Sequence, residues 1–209
     1  MLPCLPPDPY VFLQGKEVCL EPLQHEHFQA LIILGSDARI WEHFPDSRAE
    51  KDKHRRYLEE SLRLREAGLH HPYVVRLTAG NCLAGYTRLH NWDIPNRRVE
   101  TGSWLHPDFW GKNINIESKW LLLRYVFDDL KVIRVQFRTS PHNTRSRRAL
   151  EKLGATFEGI LRYDRLLPDG RPRDSALYSI IAADWPQVRE HLLARMQQYS
   201  SSITPPAAA

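Results

Sequence analysis

Two stretches of this chain hold residue types that could do chemistry. The first runs Trp104-Leu105-His106-Pro107-Asp108-Phe109-Trp110-Gly111-Lys112-Asn113-Ile114-Asn115-Ile116-Glu117 and reads as a strand end, a turn-rich loop and a helix start. A loop feeding a helix N-terminus offers unpaired N–H groups and the positive end of the helix dipole, which together suit a phosphate or pyrophosphate. Lys112 adds a mobile positive charge there. On its own the segment is read equally well as a plain loop containing Gly and Asn. The second stretch begins at Asn143, a good N-cap for a helix over 144–153, with Ser146 in its first turn and Gly154 just past its end. Both polar side chains have local uses as well, Asn143 as cap and Ser146 in satisfying the first turn.

The surrounding pattern predicts the elements that must position these residues. Val18 to Leu23 reads as a strand and His27 to Leu34 as a short helix, and Ser36 to Pro45 as a loop. From Ser47 to Ala67, Tyr57, Leu58, Leu62 and Leu64 recur at helical spacing, predicting a long amphipathic helix that ends at Gly68. Tyr73 to Thr78, Leu83 to Leu89 and Val99 to Leu105 form an antiparallel meander. A buried helix over Ile116 to Leu130 follows, then an alternating strand, Ile133 to Arg138. Thr156 to Tyr163 and Ser175 to Ala182 supply the last two strands. The order predicts a mixed α/β (α+β) fold around one sheet and excludes a repeated βαβ dinucleotide-binding unit.

Composition narrows the function classes. With 209 residues, 42% hydrophobic and 26% charged, the chain has the profile of one ordinary globular domain. Residues 11–197 are assigned to that domain, and 1–10 and 198–209, rich in Pro, Ser and Ala, to flexible ends. No apolar run suits a membrane span, and the N-terminus has no signal-peptide order, so a cytoplasmic protein is expected. Cys4, Cys19 and Cys82 are scattered and odd in number, arguing for free thiols. His25/His27 and His70/His71 lack partners at ligand spacing, and no metal site is assigned. The pI of about 9.0 fits an anionic ligand or nucleic acid equally. The basic run Lys51-Asp52-Lys53-His54-Arg55-Arg56 interleaves acids and lacks an aromatic platform, which favours a solvated helix face over nucleic-acid binding.

Three motifs together, Phe109-Trp110-Gly111-Lys112, Asn143 to Ala155, and Glu158-Gly159-Ile160-Leu161-Arg162, resemble the GNAT superfamily of N-acetyltransferases, in particular its ribosomal-protein N-terminal acetyltransferase branch. The resemblance spans about 18–182 and implies a GNAT fold, a mostly antiparallel twisted sheet splayed around a CoA cleft and flanked by helices. It implies acetyl-CoA as cosubstrate, with Trp110, Gly111, Lys112, Asn113, Ile114 and Asn115 wrapping the pyrophosphate. Asn113 and Asn115 stand where the family usually has glycine, and Asn is the side chain that best tolerates a left-handed backbone. The strand 101–105 is expected to splay from 133–138, with backbone groups of Trp104 and Leu105 binding the pantetheine arm and facing the thioester oxygen. Asn143 matches the pantetheine-binding position, and Ser146 the hydroxyl that serves as general acid near the sulfur.

Attack by a neutral amine on a thioester needs a base and no metal. Glu100, at the start of the central strand, is the first candidate for that base, and Asp164 the second; the glutamate that some relatives carry after the Asn-x-x-Ser helix is Arg165 here. Trp41, Phe44, Trp92 and Tyr163 are candidates to line the acceptor pocket, with core packing the alternative for each. The reading is acetyl transfer from acetyl-CoA to a primary amine, either a protein N-terminus or a small molecule. The alternatives are an acyl-CoA-binding regulatory module without turnover and, much behind, a nucleic-acid binder. A homodimer is expected by family, with 185–196 as a possible apolar surface.

Overall fold

The computed structural model describes residues 8, 10–80 and 82–202, and the side chains among them up to 198. Eight strands form one sheet in the order β1-β2-β3-β4-β5-β6-β8-β7. They are β1 (Leu13–Gln14), β2 (Val18–Pro22), β3 (His70–Leu77), β4 (Leu83–Asp93), β5 (Arg98–Leu105), β6 (Arg134–Thr139), β7 (Thr156–Leu166) and β8 (Pro172–Ile181). Every neighbouring pair is antiparallel except β5 with β6. The helices are α1 (Phe28–Leu34), α2 (Lys51–Glu66), α3 (Asn113–Arg124), α4 (Thr144–Leu153) and α5 (Trp185–Ser202).

Two cores sandwich the sheet. One packs α3, α4 and α5 against Val18, Leu20, Val99, Val135, Tyr178 and their neighbours; the other packs α1 and α2 against Val74, Tyr86 and Trp104. Adjacent strand residues divide between them, as Tyr73 and Val75 do from Val74, because successive strand side chains point to opposite faces. Burial of this kind contributes about 1.5–3 kcal/mol per large apolar side chain.

The helix over 144–153 forms as expected, with Asn143 Oδ1 accepting the Ser146 N–H at 2.9 Å and Gly154 in the left-handed conformation at φ 91. The other buried helix differs. It starts at Asn113, three residues before the expected Ile116, and passes into a wider π-helical turn over Tyr125–Asp129. That turn places Tyr125, Val126 and Phe127 all in the core, where Phe127 stacks on Trp185 at 5.3 Å and the Trp185 indole donates to Asp128 at 2.7 Å. The short β1 and the Ala38–Ile40 turn of 3-10 helix were not anticipated.

Tyr10 donates to Glu66 at 2.9 Å and lies under the Arg65 guanidinium, and α5 runs through Ser202. Cys4 and the rest of the two terminal segments lie outside the described residues, and Cys19 and Cys82 are free thiols. The apolar face of α5 is already used: Trp185, Val188 and Leu192 are buried within the chain's own core. Among the described residues no helix is long and apolar enough to cross a membrane.

Candidate active site

β5 and β6 pair only through Arg98↔Arg134, Val99↔Val135 and Glu100↔Gln136. Beyond Glu100 the two strands diverge while each stays paired on its other side, β5 with β4 and β6 with β8. The divergence opens a cavity of about 360 Å³. The expected splay of 101–105 is thus present, and Glu100 stands at its apex.

At one end the cavity meets two helix N-termini. Gly111, at φ 75 with nothing within 4 Å of where a Cβ would stand, turns the loop into α3. Lys112 at the N-cap of α3 makes no side-chain cap hydrogen bond, so among the described residues the first N–H groups of the helix are left without a capping side chain. Asn113 and Asn115 do not adopt the left-handed conformation their types suggested; Gly111 takes it, and both asparagines lie inside the helix. Asn113 and Ile114 turn their side chains into the protein, so only their backbone groups can serve an anion, whereas Asn115 lines the cavity. Lys112 is exposed, with its ammonium 5.6 Å from the Phe109 ring, and does not line the cavity. From α4, Asn143, Arg145 and Ser146 line it, and the Arg145 guanidinium stacks on Trp110 at 3.4 Å.

The wall between is β5 itself. His106 N–H donates to Ala84 C=O, opposite it in the ladder, and with alternation this spends the backbone groups of Trp104 on β4 and turns those of Leu105 to the notch. The Leu105 carbonyl accepts the Trp110 indole N–H at 2.9 Å, leaving its N–H as the group available to a ligand. The Trp104 ring is packed against Trp41, His54 and Tyr86, and its backbone groups, expected to bind the pantetheine arm, face β4 in this structure.

Glu100 is buried, 3% exposed. Its Oε2 accepts from Asn91 Nδ2 at 3.0 Å and Gln136 Nε2 at 3.1 Å, with Arg138 Nε at 3.4 Å. A bulge in β4 delivers the Asn91 amide, whose residue sits at φ 53. Its Oε1 is less engaged: His90 Nε2 and Arg165 Nη2 are each 3.9 Å away. Burial first, and then the positive charge of Arg88, push His90 down to about 3, so this ring is neutral at physiological pH. Asp164 is turned from the cavity and paired with Arg138 at 3.1 Å. The Asn143 carboxamide oxygen caps α4, which leaves its NH₂ to face the cleft; no hydrogen bond engages the Ser146 hydroxyl among the described residues.

Of the four expected acceptor-pocket aromatics only Phe44 lines the cavity. Trp41 is core, Trp92 packs on His71, and Tyr163 is 77% exposed. Lys119 was missed. It is buried on α3, lines the cavity, and donates to Ser103, to Thr101 at 3.4 Å and to Thr87 at 3.5 Å, with no carboxylate partner among the described residues. Burial lowers it to about 7. Its signal was in the sequence: it falls at i+3 from Ile116 and i−4 from Leu123, within an apolar stripe. One group of possible metal ligands, Glu21, Glu26 and His27, comes together away from the cleft, but Glu21 is already paired with Arg76 at 2.7 Å.

A family profile described as Acetyltransferase (GNAT) domain matches residues 17–156. The chain is 32% identical over 79% of its length to the Bacillus subtilis protein named "Putative ribosomal N-acetyltransferase YdaF", covering 90% of that protein. This chain belongs to the GNAT acetyltransferase family. A GCN5-related N-acetyltransferase from Brucella melitensis superposes with a TM-score of 0.81 at 25% identity, over 90% of this chain and 86% of that one. A ribosomal protein uS5-alanine N-acetyltransferase of Escherichia coli is 30% identical over 54% of this chain and 48% of its own length. As a family member the protein is an acetyl-CoA-dependent N-acetyltransferase, and the cleft fits that cosubstrate. It pairs uncapped N–H groups and Arg145 at one end with a narrow, partly apolar notch leading to a buried carboxylate at the other.

Proposed function

We propose that this GNAT acetylates the α-amine of a polypeptide, a ribosomal protein by likeness to its relatives, in the cytoplasm. The observation that carries the mechanism is the divergence of β5 from β6 immediately after Glu100↔Gln136, which sets a carboxylate at the apex of the cleft and the Ser146 hydroxyl on its rim.

Acetyl-CoA supplies the acetyl group as a thioester. The α3 N–H groups, Lys112 and Arg145 would hold its phosphates, and the Asn143 NH₂ and Leu105 N–H the amides and carbonyl of its arm. Glu100 takes the amine proton at Oε1, the oxygen not spent on Asn91 and Gln136, directly or through one water. Ser146 gives a proton at the leaving sulfur. These roles need no rearrangement of Glu100, because two amides already fix its carboxylate plane.

The test is to mix the protein with acetyl-CoA and N-terminal peptides of ribosomal proteins, following thiol release and the mass of the peptide. Peptide-dependent thiol release with acetyl on the α-nitrogen supports the reading. Cofactor binding without acceptor-dependent release would instead favour a regulatory acyl-CoA-binding module.

A further inference from the structure

The end of the cleft away from the α3 and α4 N-termini is walled by the α1–α2 loop, β4 and the β7–β8 hairpin, and it is crowded with guanidinium groups. Arg48, Arg88, Arg138, Arg165 and Arg173 line it, against Glu100 as the only lining carboxylate among the described residues. Arg138 and Arg165 share Glu100 and Asp164. Arg48, Arg88 and Arg173 have no carboxylate within 4.0 Å among the described residues.

Each of these three is nevertheless held in place. Arg48 and Arg88 lie 4.4 and 5.7 Å from the centre of the Tyr57 ring, and Arg48 also faces Trp41 and Phe44. A guanidinium held over an aromatic ring keeps N–H donors for an anion, and Arg88, which also hydrogen-bonds Tyr86, keeps those not spent there. Arg173 donates one Nη1 hydrogen bond to His43 C=O at 2.9 Å, tying β8 to the α1–α2 loop, while its Nε is buried without a partner. A half-buried guanidinium without a counter-charge is costly to leave unpaired and gains most from an anionic ligand. The acetyl donor's phosphates do not answer for this set, because the α3 N-terminus and Arg145, proposed above to hold them, lie at the opposite end.

Resting on the polypeptide reading above, we propose that this pocket selects an acidic N-terminus, with Arg48, Arg88 and Arg173 binding the carboxylates of the first residues that follow the acetylated one. Like charge would be rejected here: a basic N-terminus meets five guanidinium groups before its amine reaches Glu100.

The test uses three peptides that share one N-terminal Ser and differ at the next two residues, Asp-Glu, Asn-Gln or Lys-Lys. Values of kcat/KM come from thiol release with the whole chain. The acidic peptide is expected to exceed the neutral one by about tenfold at low salt and the basic one by more, with the advantage shrinking as salt rises. Arg48→Glu with Arg173→Glu is expected to bring the acidic-to-basic ratio to one or below, and calorimetric CoA binding verifies that the variant is folded. Should the double variant fail to fold, the salt dependence of the wild-type ratio decides. Equal turnover of all three peptides, or a preference indifferent to salt, overturns the acidic pocket and leaves the acetyltransferase of polypeptides intact. If no peptide is acetylated while a small amine is, the polypeptide reading falls, and this inference with it.

Discussion

Replacing Lys119 by Met should stabilise the protein at neutral pH, and the gain should fade as pH rises. Lys119 is buried beside Thr87, Thr101 and Ser103, and burial lowers it from 10.5 to about 7. Between those values the unfolded chain carries this proton and the folded chain does not. The unfolded state therefore binds one proton more, and wild-type stability rises with pH at up to about 1.4 kcal/mol per unit. Below about 7 both states are protonated and the burial penalty is fully present; above 10.5 it is gone. Methionine has a similar length and no charge to bury, and Thr87 and Ser103, already 2.7 Å apart, still satisfy one another. Urea unfolding of both proteins at pH 7, 8 and 9 measures the difference, in which other titrating groups cancel. The stability of Lys119→Met relative to wild type should fall by on the order of 1 kcal/mol per pH unit across that window. A difference that stays constant with pH would refute a neutral lysine in the fold.

Other substitutions separate roles that coincide in one residue. Asn143→Asp should keep the α4 cap while replacing the NH₂ donor by a negative charge, so calorimetric CoA affinity falls with Tm held or slightly raised, whereas Asn143→Ala should cost about 1 kcal/mol of stability as well as affinity. Glu100→Gln should lower kcat by about 100-fold or more with CoA affinity retained, and an unchanged kcat would remove Glu100 as base. Gly85→Ala would set a methyl 2.2 Å from the Trp104 carbonyl oxygen and 2.8 Å from Leu105 Cα. Because both obstacles are backbone, β5 must move, and a loss of about 1–3 kcal/mol in chemical denaturation together with weaker CoA binding is expected.

What could be read from the sequence divides by whether the deciding physics is local. The helix 144–153 was legible to the residue because its start and stop are set by two side-chain choices, an oxygen that can accept an N–H and a glycine that can take φ 91. The start of α3 was not, because Asn has a weak helix preference and burial of Asn113 and Ile114 overrides it. The diverging strands were anticipated only through the family resemblance; no composition or period announces where two parallel strands stop pairing. Glu100 was chosen by its place in the strand, and the amides that fix it, Asn91 and Gln136, come from a bulge and from a strand 36 residues away. The arginine wall was illegible for the same reason. Positions 48, 88, 138, 165 and 173 belong to a loop and four different strands, and nothing local marks any of them. Their convergence follows from sheet order alone: β8 inserts between β6 and β7 and carries Arg173 to the α1–α2 loop, where its bond to His43 closes the wall opposite Tyr57. If these arginines set the acceptor preference as proposed, that preference is a property of topology, and exchanging them should alter which amine is chosen before it alters how the acetyl group is passed.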